Sequence, residues 1–339
     1  MMLTRQFQLQ EYYAGYSGDR LHKISSATSA PYGTPPSMRT IESLLESGII
    51  IINKQAGPTS HQVAAWVRDS FGIKSTGHGG TLDPNVTGVL PVSIGKASKV
   101  IKVLQESSKE YICHLRLGKN PGEKKLKEVF AKFIGPIYQI PPFQAAVKRE
   151  LRIRRIYDLE VMEHNSKSVL FRVECEGGTY IRNLCDDIGS VLGTKGVMEQ
   201  LIRTKSGPFN LQDSFSLVEA HDIFQSWRSS HDEEMMKKML KPLEDMLVEL
   251  PKIEVKDSAV DAVCHGADLA IPGISAVSKN LKRGQLVSLI SGQSESVALG
   301  RAIIDAKEII DKKNETGKAV KLERVIMDRG TYPREWKSK

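Results

Sequence analysis

The sequence predicts an α+β protein in two domains, the larger mixing strands with helices and the smaller built as a mixed β-barrel. Three observations carry this. A chain of 339 residues exceeds the common single-domain size and can bury one large core and a smaller one. Short β-branched runs and segments of helical spacing follow one another up to a charged amphipathic stretch, Glu233 to Leu250, which Pro242 breaks and Pro251 ends; the boundary is placed there. Beyond it, three strand-like runs separated by turns fill a segment too short for a large sheet.

The first elements follow from local chemistry. Residues 1–40 pass through Ser-Ser-Ala-Thr-Ser-Ala-Pro-Tyr-Gly-Thr-Pro-Pro, which cannot build a core alone and reads as an arm or a strap. Gly48-Ile49-Ile50-Ile51-Ile52-Asn53-Lys54 is a β-branched run ending in a turn, a buried strand. Thr59 or Ser60 caps a helix from His61 to Phe71, with Val63, Trp66 and Val67 at helical spacing. Strands are expected over Tyr111–Leu117 and Val169–Glu176, and a helix over Lys124–Ile134. Gly177-Gly178 turns into a further helix. Around Ala145–Tyr157, Lys148, Arg149, Arg152, Arg154 and Arg155 alternate with apolar residues, as in a ribbon with one basic face. In the second domain Val255–Leu269 reads as helix and turn, Ala270–Gly273 as a turn, and Gln285–Ser291, Ser296–Ile304 and Val320–Met327 as strands.

The stretch that stands out is Gly77 to Pro91, GHGGTLDPNVTGVLP. It holds one carboxylate, Asp83, among glycines, threonines and prolines that can form neither a regular helix nor a central strand. Pro84 pushes Asp83 toward an extended shape, and the apolar pattern from Val89 to Leu104 anchors the loop in a core. A lone Asp-Pro is an ordinary turn; the length of the string is what singles it out.

Composition bounds the partners. Lys plus Arg number 48 against 40 Asp plus Glu, a net charge of +8, which favours a polyanion. Cys113, Cys175, Cys185 and Cys264 lie far apart without a CxxC pair, so they read as buried thiols in a reducing compartment rather than metal ligands. No run approaches the ~20 apolar residues of a membrane span and no signal-peptide block opens the chain; a soluble, cytoplasmic protein with no membrane partner is expected. Asn85-Val86-Thr87 and Asn314-Glu315-Thr316 are then incidental glycosylation patterns. Gly95-Lys96-Ala97-Ser98 is no phosphate loop, since Leu90 and Ala97 occupy positions that demand glycine and a hydroxyl.

The pattern GHxGTLDPxxTGVLPV resembles the catalytic loop of the TruB and dyskerin family of RNA pseudouridine synthases. Further blocks match in the family's order over residues 48–209: Lys54 in the first motif, where Gln55 replaces the usual proline; Lys109-Glu110-Tyr111; GGTYIRNLCDDIG from Gly177; and QLIRTKSGPF from Gln200. Cys264-His265-Gly266-Ala267, Pro272-Gly273-Ile274 and the ending from Arg324 to Trp336 resemble the PUA domain of dyskerin-type synthases. The resemblance implies a largely antiparallel mixed sheet with flanking helices over 41–250, a PUA domain over 251–339, and an N-terminal extension, 1–40, packed on the C-terminal domain. The short interval from Leu117 to Gln139, without the RNA-gripping insertion of bacterial stand-alone members, and the ending soon after Trp336, without the Lys-rich eukaryotic tail, imply an archaeal-type, guide-dependent protein.

That reaction breaks the bond from ribose to N1 of uracil and rejoins the base through C5, without net redox change and with no metal or organic cofactor. It needs an ionised carboxylate, a dry pocket and groups orienting an unstacked base. The resemblance makes Asp83 that carboxylate, as nucleophile or as the base that takes a sugar proton, and Arg182 its partner; an adjacent guanidinium typically lowers a carboxyl pKa by ~1 to 3 units. Tyr111 would stack on uracil, Tyr180 would line the pocket and Leu201 would form an apolar wall. Lys54 and Lys205 would be phosphate or structural contacts, and His78 would hold the strand where the base leaves it or bind backbone. Lys279, Lys282, Arg283 and Arg301 would grip a box H/ACA guide RNA, with base pairing selecting the rRNA or tRNA uridine and small protein subunits completing the particle. The alternatives are a stand-alone synthase acting on the tRNA T-loop (position 55) and a non-catalytic RNA-binding scaffold.

Overall fold

The computed structural model describes residues 22–23, 32–142, 148–311 and 316–334. The arm before His22 and its stretch 24–31, residues 143–147 where the basic segment begins, 312–315 and the ending beyond Arg334 lie outside the described residues. The chain divides into two compact units. The larger holds 50–94 and 101–239; the smaller takes described residues up to Ile49, Gly95–Val100 and those from Leu240 on.

The main strands of the larger unit are β1 (Ser47–Lys54, from Ile50 on), β2 (Thr76–His78), β3 (Thr87–Gly95, up to Ile94), β4 (Lys109–Leu117), β5 (Gly135–Gln139), β6 (Arg152–Asn165), β7 (Ser168–Cys175) and β8 (Gly196–Ser206), with the short Phe209–Asn210 paired to β8. Their order is β1-β3-β8-β4-β7-β6-β5, with β2 paired to β3. The pairs β4/β7, β4/β8, β6/β7 and β5/β6 are antiparallel, and β3/β8 is parallel. The longer helices are α1 (Ser60–Phe71), α2 (Glu123–Lys132), α3 (Ile181–Val191) and α4 (Leu217–Ser230), with short ones at Ile101–Glu106 and Glu234–Met239. The isoleucine run of β1 is wholly buried from Ile49 to Ile52, as a β-branched strand requires.

α1 begins on a capping box: Thr59 Oγ1 accepts from Gln62 N–H and Gln62 Oε1 accepts from Thr59 N–H, so two orphan donors are satisfied reciprocally. Trp66, read from its spacing as part of the apolar face, is 45 % exposed. α3 buries Ile181, Leu184, Cys185, Ile188 and Gly189, the stripe expected of an amphipathic helix on a sheet. Ile181, Leu184, Cys185 and Ile188 join Cys113, Phe171 and Val173 of the strands in one core.

The basic ribbon departs from expectation. In β6 Ile153 is 59 % exposed, whereas Arg154 bonds the carboxylate of Glu176 at 3.2 Å and the carbonyl of Gly178 at 3.3 Å. Apolar residues face outward here because β5 ends the sheet and β6 lies next to it, with nothing of the described sheet covering Ile153 or its cross-strand partner Tyr138.

The smaller unit contains β9 (Lys252–Val255), α5 (Asp257–Cys264), β10 (Ile274–Val277), β11 (Leu286–Ile290), β12 (Ser296–Ala302) and β13 (Lys318–Val325). These strands form a seven-stranded mixed sheet with the short strands His22–Lys23 and Leu269–Ala270. β9 pairs parallel to β11, and the other pairs are antiparallel and repeatedly bulged. The bulges bend and twist the strands around a core of Ile253, Val260, Leu289, Val297 and Val320. Strap residues enter this unit directly: Thr34 N–H bonds Glu295 Oε1 at 2.9 Å, and Arg39 forms two 2.8 Å bonds to Glu244.

Candidate active site

The Asp83 loop is a turn gripped from below. Val86 N–H bonds the carbonyl of Asp83 at 2.9 Å, closing a β-turn whose second residue is Pro84, the position where its fixed φ is favoured. On either side Leu82 and Val86 are buried, so the turn presents Asp83 outward from an apolar footing. Ser60 Oγ accepts from Leu82 N–H at 2.8 Å, which fixes the loop to the start of α1. Gly88, at φ 106°, packs so closely on β8 that a Cβ would lie 2.2 Å from the carbonyl oxygen of Arg203; only glycine permits that approach.

Two buried cations brace the loop through its carbonyls. Lys54 is 1 % exposed and its Nζ donates to Gln55, Pro84 and Val86, each at 2.9 Å. Burial lowers its pKa while the charge of Asp83 raises it. Of the two roles open to it in the sequence, phosphate contact or structural contact, the geometry gives the structural one. Arg203, also 1 % exposed, donates to Val89 O at 2.7 Å and Gly80 O at 3.1 Å, holding both stems of the loop. Sequence reasoning missed this residue, because a basic residue in a β-strand reads as solvated until its burial is known.

Arg182, the second residue of α3, donates to Asp83 Oδ2 at 2.6 Å. Both side chains are about half exposed, 46 % and 56 %, so the pair faces solvent rather than the dry interior the chemistry needs. Tyr111 is 8 % exposed and lies in one cluster with Leu201, Leu82 and Val86. Burial pushes its phenol pKa up, and the Arg203 guanidinium opposes this. Tyr180 is half-buried and immediately precedes α3.

His78 is 9 % exposed, its ring set edge-on to His61 with centroids 4.6 Å apart. Burial, then His61 and Arg203, lowers its pKa to about 4, so the ring is neutral near pH 7. Its Nδ1 is buried without a hydrogen-bond partner, so this nitrogen does not bind backbone.

Lys205 is not brought to the site. Simple alternation would put residues 201, 203 and 205 on one face, but β8 carries a bulge: Tyr111 pairs with Arg203 and Glu110 with Lys205. The extra residue, Thr204, shifts the phase. Lys205 Nζ instead lies 3.7 Å from Glu110, beside Arg172.

Among the described residues no cluster of His, Cys, Asp or Glu is arranged to hold a metal, and no helix is long and apolar enough to cross a membrane. All four cysteines are buried free thiols.

Comparison with known proteins shows the family. Four family models match: TruB family pseudouridylate synthase (N terminal domain) over 68–181, tRNA pseudouridylate synthase B C-terminal domain over 182–248, PUA domain over 251–326 and DKCLD (NUC011) domain over 19–64. The "Probable tRNA pseudouridine synthase B" of Methanocaldococcus jannaschii is 47 % identical over 92 % of each chain; that of Methanosarcina mazei is 47 % identical over 94 % of each. Among solved structures, a chain of an H/ACA RNP bound to a substrate RNA containing 2'-deoxyuridine superposes with a TM-score of 0.87 at 40 % identity, covering 94 % of this chain and 97 % of that one. A chain of a Cbf5-Nop10-Gar1 complex gives 0.88 at 42 %, covering 93 % and 96 %. Fold and matches together define an RNA-modifying isomerase with a PUA domain. The chain belongs to the TruB family of pseudouridylate synthases and is an RNA pseudouridine synthase.

Proposed function

We propose that this protein is the catalytic subunit of a box H/ACA guide ribonucleoprotein, converting chosen uridines of rRNA to pseudouridine in the cytoplasm. The observation that carries the chemistry is the 2.6 Å contact between Asp83 and Arg182 at the mouth of a braced loop. The guide assignment is supported by likeness over nearly the full length to a chain from an H/ACA RNP bound to substrate RNA. On this reading the chain's partners are a guide RNA, its substrate and small protein subunits of the particle, such as those in the Cbf5-Nop10-Gar1 complex.

Asp83 is the carboxylate that acts on the ribose, as nucleophile at C1′ or as base at C2′. Arg182 keeps that carboxylate charged and aimed. Because the pair is half open to water in the free chain, bound RNA must supply the desolvation that strengthens its electrostatics. Tyr111 and Leu201 form the floor under the extruded uracil, with Tyr180 at its rim. The bond from N1 to C1′ breaks, the base turns, C5 bonds to C1′, and the C5 proton leaves as N1 takes one up, so atoms and electrons balance within the substrate. Lys279, Lys282 and Arg283, exposed in the turn after β10, are the basic contacts to the guide; Lys282 lies 3.9 Å from Asp305 and Arg301 is held more tightly, paired with Glu323 at 2.7 Å.

Protein assembled with guide RNA and partner subunits is expected to release tritium from RNA labelled at uracil C5, and Asp83→Asn is expected to release none. Turnover by Asp83→Asn equal to the parent's removes Asp83 from the reaction. A second reading, guide-independent modification of the tRNA T-loop at position 55, is favoured by the name of the relatives that share 47 % identity. The RNA that copurifies with the protein separates the two: H/ACA guides for the first, tRNA alone for the second.

A further inference from the structure

The helix carrying Arg182 lacks the usual device for fixing its start. Tyr180 occupies the N-cap position in an extended conformation, φ −95° and ψ 104°, and no side chain caps the helix. Without a side-chain cap, the N–H groups of the first turn are left to water or a ligand. The ion pair cannot supply the missing constraint, since a contact this exposed is worth about 0–1 kcal/mol. Yet a catalytic group misplaced by ~1 Å costs on the order of a hundredfold in rate.

The constraint comes from another strand. Gln139, the last residue of β5, is 3 % exposed. Its Oε1 accepts from Tyr180 N–H at 2.9 Å and its Nε2 donates to Tyr180 O at 3.0 Å. One side-chain amide therefore meets both backbone groups of a single residue, as a neighbouring strand would. Only one orientation of the amide satisfies both bonds, since a flipped amide would set donor against donor and acceptor against acceptor. One helical turn further, Asn183 Nδ2 donates to Ile140 O at 2.9 Å. Three hydrogen bonds thus stitch residues 139–140 to 180–183 on both sides of Arg182.

We propose that Gln139 is a positioning residue for pseudouridine formation: its amide clamps Tyr180 and so sets the Arg182 guanidinium against Asp83. The inference rests on the catalytic assignment of Asp83 and Arg182 made above.

The test is tritium release by the full chain with guide RNA and partner subunits, comparing parent, Gln139→Leu and Gln139→Glu. Leucine keeps the bulk and loses both bonds; kcat should fall at least tenfold while KM for substrate RNA stays within twofold. Glutamate is a titratable copy of the clamp. Its protonated acid still donates to Tyr180 O and accepts from Tyr180 N–H, whereas the ionised form sets a negative charge against that carbonyl. Relative to the parent at each pH, Gln139→Glu should therefore recover as pH falls from 8 to 6, and Gln139→Leu should not. A merely space-filling role gives no such dependence. If Gln139→Leu does not fold, the pH series with glutamate decides alone. The proposal is overturned by a kcat for Gln139→Leu within twofold of the parent, by a loss confined to KM, or by a glutamate profile parallel to the parent's. Asp83→Asn in the same assay keeps the two questions apart: if it stays active, the catalytic reading fails, whereas an active Gln139→Leu beside a dead Asp83→Asn sinks only the clamp.

Discussion

Arg182 and Asp83 meet where water reaches both, and an exposed ion pair contributes about 0–1 kcal/mol to folding. Arg182→Ala should therefore leave the urea midpoint within experimental scatter while lowering turnover on the order of a hundredfold, the usual cost of deleting a preorganised charge at a reacting centre. A parallel loss of stability and activity would make the residue structural. His78 gives the opposite kind of expectation. Its folded pKa, about 4, lies below the ~6.5 of an unfolded histidine. Protons thus bind the unfolded chain more readily, and the stability this residue contributes is complete above pH 6.5 and lost as pH falls toward 4, by up to about 3 kcal/mol. Urea unfolding of parent and His78→Phe at pH 7 and pH 5 checks it: the parent should lose more stability than the variant. At this scale Asp83 and Arg182 were legible because each sits in a long, unusual string. Gln139 and Arg203 were not, since a glutamine or arginine in a strand carries no signal until its burial and partners are known.

At the scale of elements, the site depends on how strands and turns are pinned. Arg203 is the donor to two carbonyls of the Asp83 loop, and each buried carbonyl left without a donor costs about 1–3 kcal/mol. Part of that is recovered by no longer burying a charge. Arg203→Met should destabilise the protein by about 2–4 kcal/mol in chemical denaturation; an unchanged midpoint would mean that the loop holds its own shape. The β-branched strand β1, the capped helix α1 and strands β4 and β7 could be read from periodicity, within a few residues of their observed ends. Strand β8 and helix α4 could not. β8 mixes polar and apolar residues out of phase because two bulges divide it, and the one at Thr204 turns Lys205 toward Glu110. Arg154 and Ile153 show a similar failure, their alternation inverted at a sheet margin where no layer covers the apolar side.

For the whole molecule, the exposed Lys279, Lys282 and Arg283 of the smaller unit offer a test of partner class. Replacing all three by glutamate should weaken guide-RNA binding and flatten its salt dependence by about one in slope for each phosphate no longer neutralised, while guide-free turnover on tRNA, if present, is spared. Equal losses in both assays would favour the stand-alone reading. The smaller unit is also discontinuous in a way the chain does not announce. A linear boundary near residue 250 follows from proline and charge, yet Gly95–Val100 belongs with the C-terminal strands, where Lys96 pairs with Asp328.

By itself the sequence determined the class of chemistry and the order of the motifs, and it singled out Asp83 and Arg182 as the pair to propose for the site, because these reside in residue type and spacing, which survive without coordinates. What the tertiary structure decided was which cations are buried braces, which face each strand residue takes after a bulge, and what holds an uncapped helix in place. Those depend on desolvation and on hydrogen bonds between residues far apart in the chain, and no local pattern encodes either.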